Sequence, residues 1–230
     1  MAEPPFAARA LLFDLDGTLI DTVPDIAAAA NQAMRIMGRP ERPIKNLRRW
    51  IGNGSRKFLQ RTLTGEWNGE PEEALLEEAL AHFFDQYAEH VWEQSRLYPG
   101  VEDTLSAFHE EGFAMACVTN KPGRHTALLL EASGLSCYLS RWIGGDTIDV
   151  RKPDPGPLIQ AASDLGCAPA ESVMIGDSVN DILAGQAAGM PVLCLTYGYN
   201  QGLDLAASGP DRLVDHFFDL PRHVSLAPGR

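Results

Sequence analysis

Ala10-Leu11-Leu12-Phe13-Asp14-Leu15-Asp16-Gly17-Thr18-Leu19-Ile20-Asp21 decides how the chain is read. The apolar run Ala10 to Phe13 is too short for a helix and stops at turn-forming residues, which marks a buried strand. Two carboxylates follow, Asp14 and Asp16. Gly17 permits the backbone angles of a sharp turn, and Thr18 adds a hydroxyl. In extended backbone, residues two apart face the same side, so both acids point one way. Ligands of open parallel sheets bind beyond the carboxyl ends of the strands, where these acids stand. Two like charges this close repel unless a cation holds them or their pKa values separate. A turn capped by aspartates would account for Asp-x-Asp-Gly alone, but the strand before it and Thr18-Leu19-Ile20-Asp21 after it favour a site.

Length and composition narrow the setting. With 230 residues, 45% of them hydrophobic and 22% charged, the chain suits one large domain or a core with an insert, and it is not disordered. The net charge of −12 argues against nonspecific nucleic-acid binding and against an anionic membrane surface, since both need clustered Lys and Arg. An anionic substrate then needs a local positive site inside an acidic protein. No signal-like segment opens the chain, and no long apolar run is present, so a cytoplasmic protein with no membrane partner is expected. Cys117, Cys137, Cys167 and Cys194 have no CxxC spacing and read as buried reduced thiols. The histidines, His82, His90, His109, His125, His216 and His223, show no nucleophile or zinc spacing. Each reads as a surface or half-buried structural residue.

Along the chain, Pro24 to Met37 reads as a helix with an apolar stripe, followed by shorter helical pieces over Ile44 to Trp50 and Arg56 to Leu63. A long helix is expected from Glu72 to about Glu93, with Leu76, Leu80, Phe83, Phe84, Tyr87 and Val91 on its apolar side. Residues 22–96 thus read as all-helical, an insert after the first strand. From Tyr98-Pro99-Gly100 onward, helices alternate with the short apolar runs Ala114 to Val118, Trp142-Ile143, Val173 to Ile175 and Val192 to Leu195. That alternation predicts an α/β fold, a parallel sheet of about five strands with helices on both faces. The end, Val224 to Arg230, carries little pattern and is expected to fray.

Three of these strands lead into polar signatures: Thr119-Asn120-Lys121-Pro122, then Arg151-Lys152-Pro153-Asp154-Pro155, then Gly176-Asp177-Ser178-Val179-Asn180-Asp181. Each alone is an ordinary loop or helix cap. With Asp14-Leu15-Asp16-Gly17-Thr18-Leu19-Ile20-Asp21 before them, the set resembles the four motifs of the haloacid dehalogenase superfamily of phosphatases, across nearly the whole chain. The resemblance implies a Rossmann-like catalytic core over 1–21 and 97–230 and an inserted helical cap domain over 22–96. It implies a phosphatase that takes a small-molecule phosphate ester, with Mg²⁺ as cofactor.

Chemistry and resemblance agree on roles. Phosphate monoesters hydrolyse very slowly unaided, and a carboxylate nucleophile divides the reaction into two steps through an aspartyl-phosphate. Asp14 is the candidate nucleophile. Asp16 is the candidate acid for the departing alcohol and base for water. Thr119 and the Asn120 N–H are candidates to hold phosphate oxygens, and Lys152 to neutralise the transferring group, with Lys121 its competitor. By resemblance, Mg²⁺ is held by Asp14, the Asp16 backbone carbonyl and Asp177, with Asp181 behind them or beside Lys152.

The insert is placed to act as a water-excluding lid. In it, Gly52, Asn53 and Gly54, with Arg56 and Lys57, are candidates to meet a substrate carboxylate; the competing reading is a plain helix–helix turn. The Trp50-Ile51-Gly52-Asn53-Gly54 loop, Gly144-Gly145-Asp146-Thr147, and Leu195-Thr196-Tyr197-Gly198-Tyr199-Asn200 together resemble bacterial phosphoglycolate phosphatases. The alternatives are a phosphatase of sugar phosphates such as N-acetylmuramic acid 6-phosphate and a β-phosphoglucomutase-like isomerase. Asp16 speaks against a dehalogenase, whose relatives lack that second acid. A monomer or a homodimer is expected.

Overall fold

A short strand, β1 (Phe6–Ala8), precedes β2 (Ala10–Phe13) in a computed structural model that describes residues 4–139 and 141–228. All four residues of β2 are buried, as a central parallel strand covered on both faces requires. Its side chains divide by the period of two. Leu11 and Phe13 join one cluster with Val173, Ile175, Phe108 and Phe217, while Leu12 joins the opposite one with Met174, Val118 and Ile182. Burying each such side chain contributes roughly 1.5–3 kcal/mol, so a one-residue slip of β2 is strongly disfavoured.

After β3 (Ile20–Asp21) come four helices: α1 (Val23–Ile36), α2 (Ile44–Trp50), α3 (Ser55–Thr64) and α4 (Glu73–Glu89). They enclose a hydrophobic cluster of their own, with Ala30, Leu47, Phe58, Leu76, Phe83 and Tyr87 among its members. The chain then returns through β4 (Arg96–Leu97), antiparallel to β3, with Asp21 opposite Arg96. The expectation of an all-helical stretch from Thr22 to Arg96 is therefore corrected at its far end, where Arg96 pairs as a strand. α4 also stops short of Glu93. The carboxylate of Asp25 collects the backbone N–H groups of Glu93, Gln94 and Ser95 at 2.8–3.1 Å and the Ser95 hydroxyl at 2.6 Å. Those donors are satisfied outside a helix, so the helix need not continue.

The remainder is α5 (Val101–Glu111), β5 (Ala114–Val118), α6 (Gly123–Ala132), β6 (Arg141–Ile143), α7 (Gly156–Asp164), β7 (Ser172–Gly176), α8 (Val179–Ala188), β8 (Val192–Leu195), β9 (Arg212–Val214) and β10 (Val224–Leu226). The main sheet has six parallel strands in the order β6-β5-β2-β7-β8-β9. The expectation of about five lacks the edge strand β9. Only Val214 of its three residues is buried, which leaves little apolar pattern to read. The expected fraying end is corrected too. β10 pairs in parallel with β1, Phe6 opposite Val224, and residues 229–230 lie outside the described residues. Cys117, Cys167 and Cys194 are buried free thiols, whereas Cys137 is exposed. Among the described residues no helix is long and apolar enough to cross a membrane.

The chain runs from β2 outward to β5 and β6, then returns to β7 on the other side of β2. Such a switch in direction opens a crevice at the carboxyl ends of the strands flanking β2, and ligands bind there.

Candidate active site

Asp14 leaves β2 with its backbone N–H still paired to the Ile175 carbonyl at 2.9 Å, so its position is inherited from the sheet. Gly17, at φ +95°, turns the chain; a Cβ there would lie 2.4 Å from Asp177 Oδ2. Only glycine fits that approach. Thr119, Asn120 and Lys121 follow β5 and are all buried. The Asn120 amide donates to the carbonyls of Lys152 (2.9 Å) and Gly52 (3.1 Å). It thereby ties together the loop after β5, the loop carrying Lys152 and the helical layer. Asp177 follows β7. Asp181 in the first turn of α8 accepts from the N–H groups of Asp177 and Ser178 and from the Ser178 hydroxyl.

Lys152 Nζ lies 3.0 Å from Asp14 Oδ1 and 2.7 Å from Asp181 Oδ1, and it donates to the Val118 carbonyl at 2.5 Å. Lys121 Nζ instead meets both Asp16 oxygens, at 3.0 and 3.1 Å. Lys152 thus faces Asp14, and Lys121 faces Asp16. Thr22 Oγ1 also donates to Asp16, at 2.7 Å. Burial works against the charge on each lysine, yet the adjoining carboxylates outweigh it and raise both pKa values.

The carboxylates carry the opposite strain. Burial foremost, with Asp181 and Asp16 adding repulsion against the pull of Lys152, raises the Asp14 pKa to about 6. Asp177 is raised well above the ordinary range by burial, then by Asp14 and Asp181. The oxygens of Asp14, Asp177 and Asp181 lie within 4.8 Å of one another. An all-oxygen donor set with excess negative charge fits a hard divalent cation such as Mg²⁺. Asp181 spends its oxygens on Lys152 and on the loop after β7.

Above these groups the helical layer roofs a cavity of about 50 Å³, with Asp14, Asp16, Thr119 and Lys121 on one side and Ile51, Gly52, Phe58 and Phe83 on the other. The Gly52 carbonyl accepts from Asn120 and Asn180, both at 3.1 Å, and Gln201 donates to the Ile51 carbonyl at 2.7 Å. Gly52 and Gly54 line the cavity, but the other expected members of the loop do not. Asn53 is engaged by Arg61 (2.9 Å) and Gln201 (3.1 Å). Arg56 is half-exposed and paired with Glu73 and Glu77 of α4. Lys57 is not among the lining residues. The charge of Arg56 is already met by acids four residues apart on α4, a pairing that the sequence of its own helix does not reveal.

Two further groups escaped the sequence. Tyr199 caps α1, accepting at its hydroxyl from the N–H groups of Thr22 (2.7 Å) and Val23 (3.1 Å) and donating to Asp21 at 2.6 Å. His125 corrects the reading of the histidines as surface or half-buried. It is 4% exposed and lines the cavity. Its place in the first turn of the helix that follows Thr119-Asn120-Lys121-Pro122 is the signal that would have found it.

Residues 8–189 match the family model of haloacid dehalogenase-like hydrolases. Among curated proteins, the phosphoglycolate phosphatase of Thiobacillus denitrificans is 46% identical over 223 residues, covering 97% of this chain and 98% of that one. That of Photobacterium profundum is 47% identical over 219 residues, covering 94% and 96%. Among solved structures, a predicted phosphoglycolate phosphatase from Haemophilus somnus superposes with a TM-score of 0.87 at 35% identity, covering 93% of this chain and 96% of its own.

Proposed function

The chain belongs to the haloacid dehalogenase-like hydrolases and is a phosphoric monoester hydrolase, and on that footing we propose that it hydrolyses 2-phosphoglycolate to glycolate and phosphate. The observation that carries the reading is the small cavity, about 50 Å³, between Asp14 and Asp16 and the helical layer. So small a space suits a short ester better than a sugar phosphate. Full-length relatives that bear the name phosphoglycolate phosphatase support the same choice.

In this reading Asp14 attacks phosphorus through a carboxylate oxygen, forming an aspartyl-phosphate as the ester oxygen departs. Asp16 delivers the proton to that oxygen, then takes one from the water that cleaves the acyl phosphate. Lys121, at 3.0 Å, and the Thr22 hydroxyl hold the Asp16 carboxylate in place for both transfers. Thr119 and the Asn120 N–H receive phosphoryl oxygens, and Lys152 offsets charge on the transferring group. Asp14, Asp177 and the Asp16 carbonyl would hold Mg²⁺, which would supply charge neutralisation at the phosphate. Residues 22–95 serve as the cap that excludes water, swinging on the β3–β4 ribbon.

The test is kcat/KM, with Mg²⁺, for 2-phosphoglycolate, N-acetylmuramic acid 6-phosphate and β-glucose 1-phosphate. Preference for phosphoglycolate by at least tenfold is expected. Preference for the muramic acid ester refutes the substrate, and activity that requires a sugar bisphosphate refutes the hydrolase reading.

A further inference from the structure

Away from the acids the cavity ends in aromatic rings. Phe84 stacks on His125 with centroids 4.8 Å apart and planes 20° from parallel, and Tyr87 lies 5.7 Å from the same imidazole. His125 is 4% and Tyr87 1% exposed. Yet the Tyr87 hydroxyl and both ring nitrogens of His125 make no close hydrogen bond; the Lys121 ammonium beside the hydroxyl and the Phe84 backbone beside the imidazole offer only longer, weaker contacts. Buried polar groups are nearly always paired, and leaving one unpaired costs stability. Three such atoms on two touching residues, both lining one cavity, mark a place where a ligand supplies the partner.

The chemistry of that ligand follows from the surroundings. Lys121 Nζ stands 4.5 Å from the centroid of the Tyr87 ring and so brings a cation to the same wall. An ammonium has three donors, and Asp16 draws on them at only 3.0 and 3.1 Å. A phenol O–H and an imidazole N–H add two more donors. Burial first, then the Lys121 cation, lowers the His125 pKa, so the ring is neutral at pH 7 with one N–H to give. Donors gathered beside a positive charge suit an anionic acceptor with two oxygens.

We propose that His125 and Tyr87, beside Lys121, form a leaving-group subsite that holds the carboxylate of the substrate while Asp14 takes its phosphorus. This rests on the phosphoglycolate reading above and moves carboxylate recognition from the loop at Gly52 to the wall where α4 meets α6. It also links recognition to catalysis. Lys121 touches the acid–base residue Asp16 on one side and the carboxylate subsite on the other, so a bound carboxylate and a placed Asp16 share one lysine. Tyr87 and Phe84 come from the helical layer and His125 from the core, so the subsite is complete only when the two are closed together.

The experiment compares 2-phosphoglycolate with ethyl phosphate, which replaces the carboxylate by a methyl group on the same frame. Wild type, Tyr87→Phe, His125→Phe and His125→Gln are measured for kcat and KM on both esters. Tyr87→Phe removes one oxygen that makes no close hydrogen bond within the fold, so folding is spared. The expected result is that Tyr87→Phe and His125→Phe each reduce the preference for phosphoglycolate over ethyl phosphate by roughly 10- to 100-fold. The loss falls mainly in KM, and His125→Gln, which keeps an N–H, retains more of the preference than His125→Phe. A wild type that prefers phosphoglycolate, with the preference intact in Tyr87→Phe and His125→Phe, overturns the subsite and leaves the substrate standing. A wild type with no preference between the esters overturns the substrate reading and the subsite with it.

Discussion

Lys152→Met separates the two lysines of the site. Methionine nearly preserves the volume but removes one charge and every donor of a side chain only 2% exposed. Lys152 Nζ is the cation against Asp14 at 3.0 Å and Asp181 at 2.7 Å. At 3 Å and an effective dielectric of 20, each pair is worth roughly 5–6 kcal/mol of gross attraction. Desolvation offsets much of that, and breaking a buried pair costs about 3–5 kcal/mol net. For a chain of this size, each kcal/mol moves Tm by about 2–4 °C. Scanning fluorimetry in EDTA should therefore place the variant roughly 6–20 °C below wild type, with part of the loss recovered in Mg²⁺ as a cation again meets the carboxylates. kcat on p-nitrophenyl phosphate should fall about 10²- to 10³-fold, the usual effect of removing one placed electrostatic group, and Mg²⁺ should not restore it. Lys121→Met removes an equal charge from Asp16 instead and should hurt phosphoglycolate more than p-nitrophenyl phosphate. If Lys152→Met keeps kcat within tenfold of wild type while Lys121→Met does not, the assignment is reversed and the geometric argument fails.

Asp16→Asn should slow hydrolysis of phosphoglycolate far more than that of p-nitrophenyl phosphate, whose phenolate leaves without a proton; equal losses in steady-state rates contradict an acid at that position. Asp25→Ala strips the acceptor from three backbone N–H groups and the Ser95 hydroxyl. It should cost about 3 kcal/mol, a Tm lower by roughly 6–12 °C, and a shift under 2 °C would show that the return segment is held by other means. The raised Asp14 pKa has a definite sign. From 3.8 unfolded to about 6 folded, the metal-free native state binds more protons, so stability falls as pH rises through that window, by up to ~3 kcal/mol. Mg²⁺ binds the deprotonated carboxylates, so the Tm gain on adding Mg²⁺ should grow from pH 5 to pH 7. A gain independent of pH would remove Asp14 and Asp177 from the metal.

Local pattern was enough wherever a segment buries its own side chains. β2, β5, β7 and β8 have four or more residues, with only Ala114 at the start of β5 less than fully buried, and runs of that kind are visible without their partners. The acids at their ends were legible for the same reason, because a strand that must be buried fixes where its polar successor emerges. β3, β4, β9 and β10 have two or three residues each, and their pairing depends on chain that is distant in sequence, as when Phe6 meets Val224. The early end of α4 belongs with them, since Asp25 stops it from 70 positions away. So does the division of labour between the lysines: Lys121 reaches Asp16 across 105 residues, and sheet order alone puts them in contact. Arg56 reads as a free cation until α4 brings Glu73 and Glu77 to it. His125 reads as inert until α4 lays Phe84 and Tyr87 against its ring. Periodicity along the chain encodes which face is buried, and so determines the strands, the helices and the acids between them. Which charge meets which, and which polar atom is left without a partner, depends on distances between elements, and only the folded chain sets those.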